Sequence, residues 1–134
     1  MNFRIAEYRE LGLAARWLDE EHARHAYEFA LHYSHKTRYG LNPATVSDIE
    51  RHVIESDSVA QAWLDARWPY TGTVQIVYGG DDVCVIDAKD FLAQWKNIFT
   101  PSRDDAIALH NLSNAVLFYC HEDELEVGCR IDAR

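Results

Sequence analysis

Four histidines, His22, His25, His32 and His35, form two H-x-x-H pairs within one stretch of helical spacing. On a helix, groups three residues apart share a face, so each pair could offer two imidazole nitrogens to a metal ion. The two pairs lie ten residues apart, roughly 15 Å along a helix axis, and cannot share one ion. Neither pair has two further ligands at usable distance, with Glu21 and Glu28 the nearest carboxylates. No bound metal or other cofactor is therefore expected.

A nucleophile is the next chemistry to consider. Cys120 and His121 are adjacent, and in a strand neighbouring side chains point to opposite faces, so a local thiolate–imidazolium pair is not expected. The chain contains no G-x-S-x-G elbow, no phosphate-binding glycine loop and no dinucleotide fingerprint. No catalytic residue is assigned, and the chain is not expected to be an enzyme. Cys84, Cys120 and Cys129 are an odd number in strand-like segments, expected to act as small buried hydrophobes. A Cys120–Cys129 contact across the terminal hairpin is geometrically conceivable.

Carboxylates are the more abundant feature. Asp81 and Asp82, Asp104 and Asp105, and Glu122, Asp123 and Glu124 fall at three predicted turns of the C-terminal half. None has the D-x-D-x-D-G spacing that holds Ca²⁺ in one loop. Clustered turn carboxylates can be plain solvation, or they can form one recognition patch for a basic protein partner. These seven residues are the candidate partner-binding set.

The whole chain, 134 residues, carries 22 acidic and 13 basic side chains, for a formal net charge of −9. Residues 71–134 hold 11 acidic and only 5 basic groups. Such a field repels a phosphate backbone, so nucleic acid is not an expected partner, whereas a basic protein would be steered toward it. At 48% apolar residues, with four Trp, seven Tyr and five Phe, the chain can bury a core as one domain. No apolar run approaches the roughly 18 residues of a membrane span, and the charged N-terminus lacks a signal-peptide apolar core, so a cytoplasmic location is expected.

These groups must be positioned by two halves of different texture, helical over 1–70 and sheet-forming over 71–134. A helical region is expected from Tyr8 to Thr37, broken near Asp19 to Glu21, with Ala26, Phe29, Ala30 and Tyr33 facing the core. Gly40 would cap it. A second helix is expected from Ser47, with the Ser47–Glu50 capping-box spacing and Val46, Ile49 and Val53 on one side. A third follows the Ser56 cap. Thr73–Tyr78 and Val83–Ile86 read as a hairpin around Gly79-Gly80-Asp81-Asp82. Asp87 then caps a helix over 88–99, and Ala106–Leu109 is a further strand.

The last hairpin pairs an apolar run, Ala115–Cys120, with a strict alternation. Leu125, Val127, Cys129 and Ile131 should face the core while Glu126, Arg130 and Asp132 face water. The expected fold class is α+β: N-terminal helices packed on a mostly antiparallel sheet, with one inserted helix in a ββαβββ C-terminal half.

In size, acidity and Trp content this domain resembles the immunity proteins that neutralise bacterial toxins. The resemblance implies an immunity-type inhibitor that occludes the cationic surface of a basic toxin, such as a nuclease. Two other readings stay open at the level of sequence: a metal-dependent enzyme using the helix histidines, and an adaptor or oligomer subunit with no catalytic role.

Overall fold

Seven strands pair edge to edge in the order β1-β4-β3-β5-β6-β7-β2, and every pairing is antiparallel. The computed structural model describes residues 2–131, so Asp132 of the predicted alternation lies outside the described residues. In chain order the elements are α1 (Phe3–Glu10), β1 (Arg16–Trp17), α2 (Glu20–Leu31), β2 (Val46–Val53), α3 (Asp57–Asp65), β3 (Thr73–Val77), β4 (Val83–Asp87), α4 (Ala88–Ile98), β5 (Ala106–His110), β6 (Ala115–Cys120) and β7 (Glu124–Arg130). The expected α+β class and the ββαβββ half are both present. No helix among the described residues is long and apolar enough to cross a membrane.

Helices cover both faces of the sheet, giving two cores. Tyr8, Leu64 and Trp68 join Phe91, Trp95, Ile98 and Phe99 against Ile76, Ile86, Leu117, Leu125 and Val127 on one side. On the other, Ala23, Ala30, Tyr33 and Leu41 pack on Val77, Val83, Ile107, Val116 and Phe118. Burial on both faces explains why β5 and β6 read as unbroken apolar runs.

The same two-sided cover corrects the expectation for β7. Leu125 and Val127 are buried as predicted, and β7 pairs with β6 in the predicted hairpin. Glu126 does not face water: it is 5% exposed, beneath the loop from Tyr33 to Leu41. Arg130 is half-buried, Cys129 is exposed, and Ile131 lies past the strand end at 59% exposure. Alternation fixed which residues share a face, but a second layer covered the face that polarity had marked as wet. Cys120 pairs with Glu124 and Cys129 with Ala115, at opposite ends of the ladder, so no Cys120–Cys129 contact forms.

The predicted helix at 47–53 is the strand β2. Between Ser47 and Glu50 the ladder against β7 shifts at a bulge, with Asp48 at φ 56°. The extra residue lets Val46 and Ile49, three apart in sequence, pack against the same core over Gly128. A bulged strand thus imitated the helical spacing. The first helical region is also divided differently. It takes in only the end of α1, which starts earlier at Phe3, then the short edge strand β1, and α2, which begins at the Asp19 cap and ends at Leu31, before the expected Gly40 cap. Ala23 and Ala30 form its buried stripe, while Phe29 is 50% exposed beside Tyr33. The N-terminal half therefore supplies both edge strands.

Ser56 caps α3 as expected, accepting from the Val59 amide. Asp87 occupies the cap position of α4 without a side-chain bond, and the predicted apolar face of α4 is buried at Phe91, Trp95 and Ile98.

Candidate functional site at the acidic end of the sheet

Antiparallel alternation sends the β3–β4 turn, the α4–β5 loop and the β6–β7 turn to the same end of the sheet. The register shows this, since Val77 lies opposite both Val83 and Ile107, Ala106 opposite Tyr119, and Cys120 opposite Glu124. All three carboxylate clusters singled out from the sequence thus share one sheet end. Backbone bonds tie the row together: the Ser102 amide donates to the His121 carbonyl at 2.7 Å, and the Ile54 amide to the Asp123 carbonyl at 3.0 Å.

Half of the row is locked from within. Arg4 on α1 is buried, stacks 3.8 Å above the Tyr78 ring, and donates to Asp104 at 2.9 Å and to Asp82 at 3.3 Å. Arg103 bonds both oxygens of Asp104 at 2.9 and 3.0 Å and reaches Glu7 of α1 at 2.9 Å. The Thr100 amide donates to Asp104 at 2.8 Å. Burial pushes the Asp104 carboxyl upward, but Arg103, the Thr100 amide and Arg4 outweigh it and hold the group below the ordinary carboxylate range. Asp104 is fully buried, so the structure removes it from the partner-facing set and makes it the anchor of α1. Asp82 is half-buried in the same network.

The other half surrounds an open cleft of about 600 Å³, lined by Arg38, Tyr39, Arg51, Cys120, Glu122 and Glu124. Asp105 accepts from both the backbone amide and Nδ1 of His121, each at 2.9 Å. That hydrogen bond raises the His121 pKa above its ordinary 6.5, by favouring the imidazolium. Glu124 is paired with Arg51 at 2.6 Å, and Asp123 accepts from the Tyr119 hydroxyl at 2.8 Å. Asp81 and Glu122 are the exposed carboxylates of the row that no guanidinium engages among the described residues.

Cys120 and His121 do approach each other, contrary to the strand argument, because β6 ends at Cys120 and His121 already belongs to the turn. The Cys120 Sγ lies 4.0 Å from His121 Nδ1. This is not the geometry of an activated thiol. Thiol and carboxylate meet the same ring nitrogen, whereas a relay needs them on different ones. Desolvation, together with Asp105, Glu122 and Glu124, also pushes the thiol pKa up. The helix histidines are dispersed. His22 bonds Asp19 on the surface, His25 is exposed, and His32 and His35 follow the end of α2. The metal-capable groupings among the described residues contain none of them.

Several side chains that build this end carried no signal in the sequence: Arg4, Arg38, Tyr39, Arg51 and Glu126. Buried Glu126 accepts from the Leu41 amide at 2.8 Å and from Arg38 at 3.3 Å, so its charge pins the loop that places Tyr39 against His121, with ring centroids 4.7 Å apart. Gly40 makes this approach possible. Its φ is +131°, and an added Cβ would lie 2.5 Å from the Arg38 guanidinium and 2.8 Å from the Glu126 carboxylate. Gly40→Ala is expected to cost about 1–3 kcal/mol in urea unfolding, from backbone strain and the displaced ion pair. Unchanged stability would show that the loop is not held this way.

Comparisons with protein-family models, with curated proteins and with solved structures returned no match to this chain.

Proposed function

We propose that this protein is a stoichiometric binding module that occludes a basic surface of a protein partner with the acidic end of its sheet. The partner class proposed is a cationic toxin such as a nuclease, which would make the chain an immunity-type inhibitor acting in the bacterial cytoplasm. One observation carries the reading: three carboxylate-bearing turns, distant in sequence, occupy one sheet end beside the exposed ring of Tyr39. An exposed aromatic among charges suits an interface anchor, with the charges steering encounter and setting register.

Internal pairing narrows the contact set. Asp104 serves the fold, and Asp82 and Glu124 are shared with arginines, leaving Asp81 and Glu122 as the carboxylates freest to meet lysine or arginine. The chain's net charge of −9 adds a long-range field of the same sign.

The test uses the product of the reading frame adjacent to this gene, with association kinetics measured at two ionic strengths in the presence of EDTA. A 1:1 complex is expected, with an association rate that falls as salt rises. In the double variant Asp81→Lys, Glu122→Lys, association should slow about tenfold at low salt and lose much of its salt dependence. A neighbouring product that is not basic, or that does not bind, would overturn the toxin reading. Unaltered association in the double variant would remove this sheet end from the interface.

A further inference from the structure

The geometry points to a Zn²⁺ site at the β6–β7 turn, with Cys120, His121 and Asp105 as its protein ligands. The H-x-x-H pairs hold too few ligands for a metal ion. The fold assembles a different donor set from residues that are not spaced as a motif. One ligand atom each from Asp105, Cys120 and His121 lies within 4.8 Å of the others, and a second such group of Cys120, Glu122 and Glu124 shares the same sulfur.

The donor chemistry is that of zinc. A thiolate and an imidazole, joined by a carboxylate, favour a borderline-soft divalent ion over Ca²⁺ or Mg²⁺, which take oxygen ligands. The distances are close to a tetrahedral site. Zinc bond lengths imply roughly 3.6 Å between sulfur and nitrogen ligands and roughly 3.4 Å between nitrogen and oxygen ligands. Cys120 Sγ lies 4.0 Å from His121 Nδ1, and His121 Nδ1 lies 2.9 Å from Asp105 Oδ1. These three ligand atoms, all within 4.8 Å of one another, lie near the spacing one ion requires, and a water would complete the tetrahedron.

The position of the thiol is an independent pointer. Cys120 is only 5% exposed, yet its sulfur is turned to the cleft side of the strand end. There it makes only weak contacts, with the Glu122 amide at 3.5 Å and with the His121 and Glu122 side chains. Cys120 closes the second core beside Val116 and Phe118, so its sulfur stands at the boundary between that core and the polar turn. Glu122 and Glu124 remain outside the coordination set: they group with Cys120 but not with His121 and Asp105, and Arg51 holds Glu124 at 2.6 Å.

Binding releases the thiol proton to solvent as the Zn–S bond forms. On neutral His121 the ring proton moves from Nδ1 to Nε2, and on the imidazolium the Nδ1 proton is lost instead. The Asp105 oxygen that accepted from Nδ1 then faces the ion. One thiolate and one carboxylate balance the Zn²⁺ charge, with the Glu122 and Glu124 carboxylates close by at the same turn.

The reduced, dialysed full chain is titrated with Zn²⁺ by calorimetry, and in parallel with Co²⁺ followed by absorption. One Zn²⁺ per chain with a micromolar or tighter Kd is expected, together with a thiolate-to-cobalt charge-transfer band. Cys120→Ser should abolish that band and weaken Zn²⁺ binding at least about tenfold. Cys129→Ser, which alters an exposed thiol at the far end of β7, should change neither. Absence of Zn²⁺ binding, binding that is unchanged in Cys120→Ser, or a cobalt spectrum without the thiolate band would each overturn the site. If Cys120→Ser fails to fold, the cobalt spectrum of the unaltered chain decides alone. The metal is titrated without a partner and the partner is measured in EDTA, so either proposal can fail by itself.

Discussion

Truncating Trp95 to alanine is expected to destabilise the protein by about 3–5 kcal/mol, among the largest losses a single core substitution produces. The ring is 2% exposed, at the centre of the face that α4 presents to the sheet. Its indole Nε1 donates to the Gln61 side chain at 3.0 Å, and Gln61 in turn donates to the Leu92 carbonyl. Removing the indole therefore leaves a cavity between α3, α4 and the sheet and also unpairs a half-buried amide oxygen. Urea denaturation monitored by far-ultraviolet circular dichroism measures the loss. A change below about 1 kcal/mol, the ordinary range for surface positions, would contradict the burial of α4 described above.

Asp104 should be comparably costly to remove, and its cost should depend on pH. Asp104→Ala leaves the buried Arg4 guanidinium with only a half-buried carboxylate, and breaking a buried pair from one side costs roughly 3–5 kcal/mol. The pH dependence follows from the depressed pKa. A carboxyl held below its unfolded value contributes stability that is present above the unfolded pKa and is lost as pH falls through the folded one. The stability gap between the unaltered chain and Asp104→Asn should therefore be constant above about pH 4 and should shrink below it. Carboxylates common to both proteins cancel in this difference. A gap that persists unchanged to the lowest pH at which both fold would show that Asp104 is not held ionised by its arginines.

The Asp104 network also has a structural consequence at the site. Arg4, Glu7 and Tyr8 lie on α1, and their bonds to Asp104, Arg103 and Tyr78 fasten that helix to the acidic end of the sheet. The charges there are thus of two kinds. One group is spent on holding α1 and the Tyr33–Leu41 loop in place, and the other remains at the surface. A surface-charge count from sequence cannot separate them, because an ion pair such as Arg4–Asp104 joins residues a hundred positions apart.

Local periodicity determined the parts of the fold whose cause is local. The hairpin of β3 and β4, the inserted helix α4 and the hairpin of β6 and β7 were all readable, because turn residues and apolar spacing specify them without distant partners. The acidic turns were readable for the same reason, and antiparallel alternation alone then sends them to one end. Tertiary structure decided what depends on a neighbour. β2 is a strand because β7 offers an open edge and a bulge at Asp48 absorbs the mismatch, and no window of eight residues contains that edge. Glu126 is buried because a loop 85 residues away brings an amide and a guanidinium to it, which compensates a charge that polarity alone would leave in water. The donors around Cys120 converge for the same reason: strand pairing puts Asp105 beside the β6–β7 turn, where sequence had set it 15 and 16 positions from its partners.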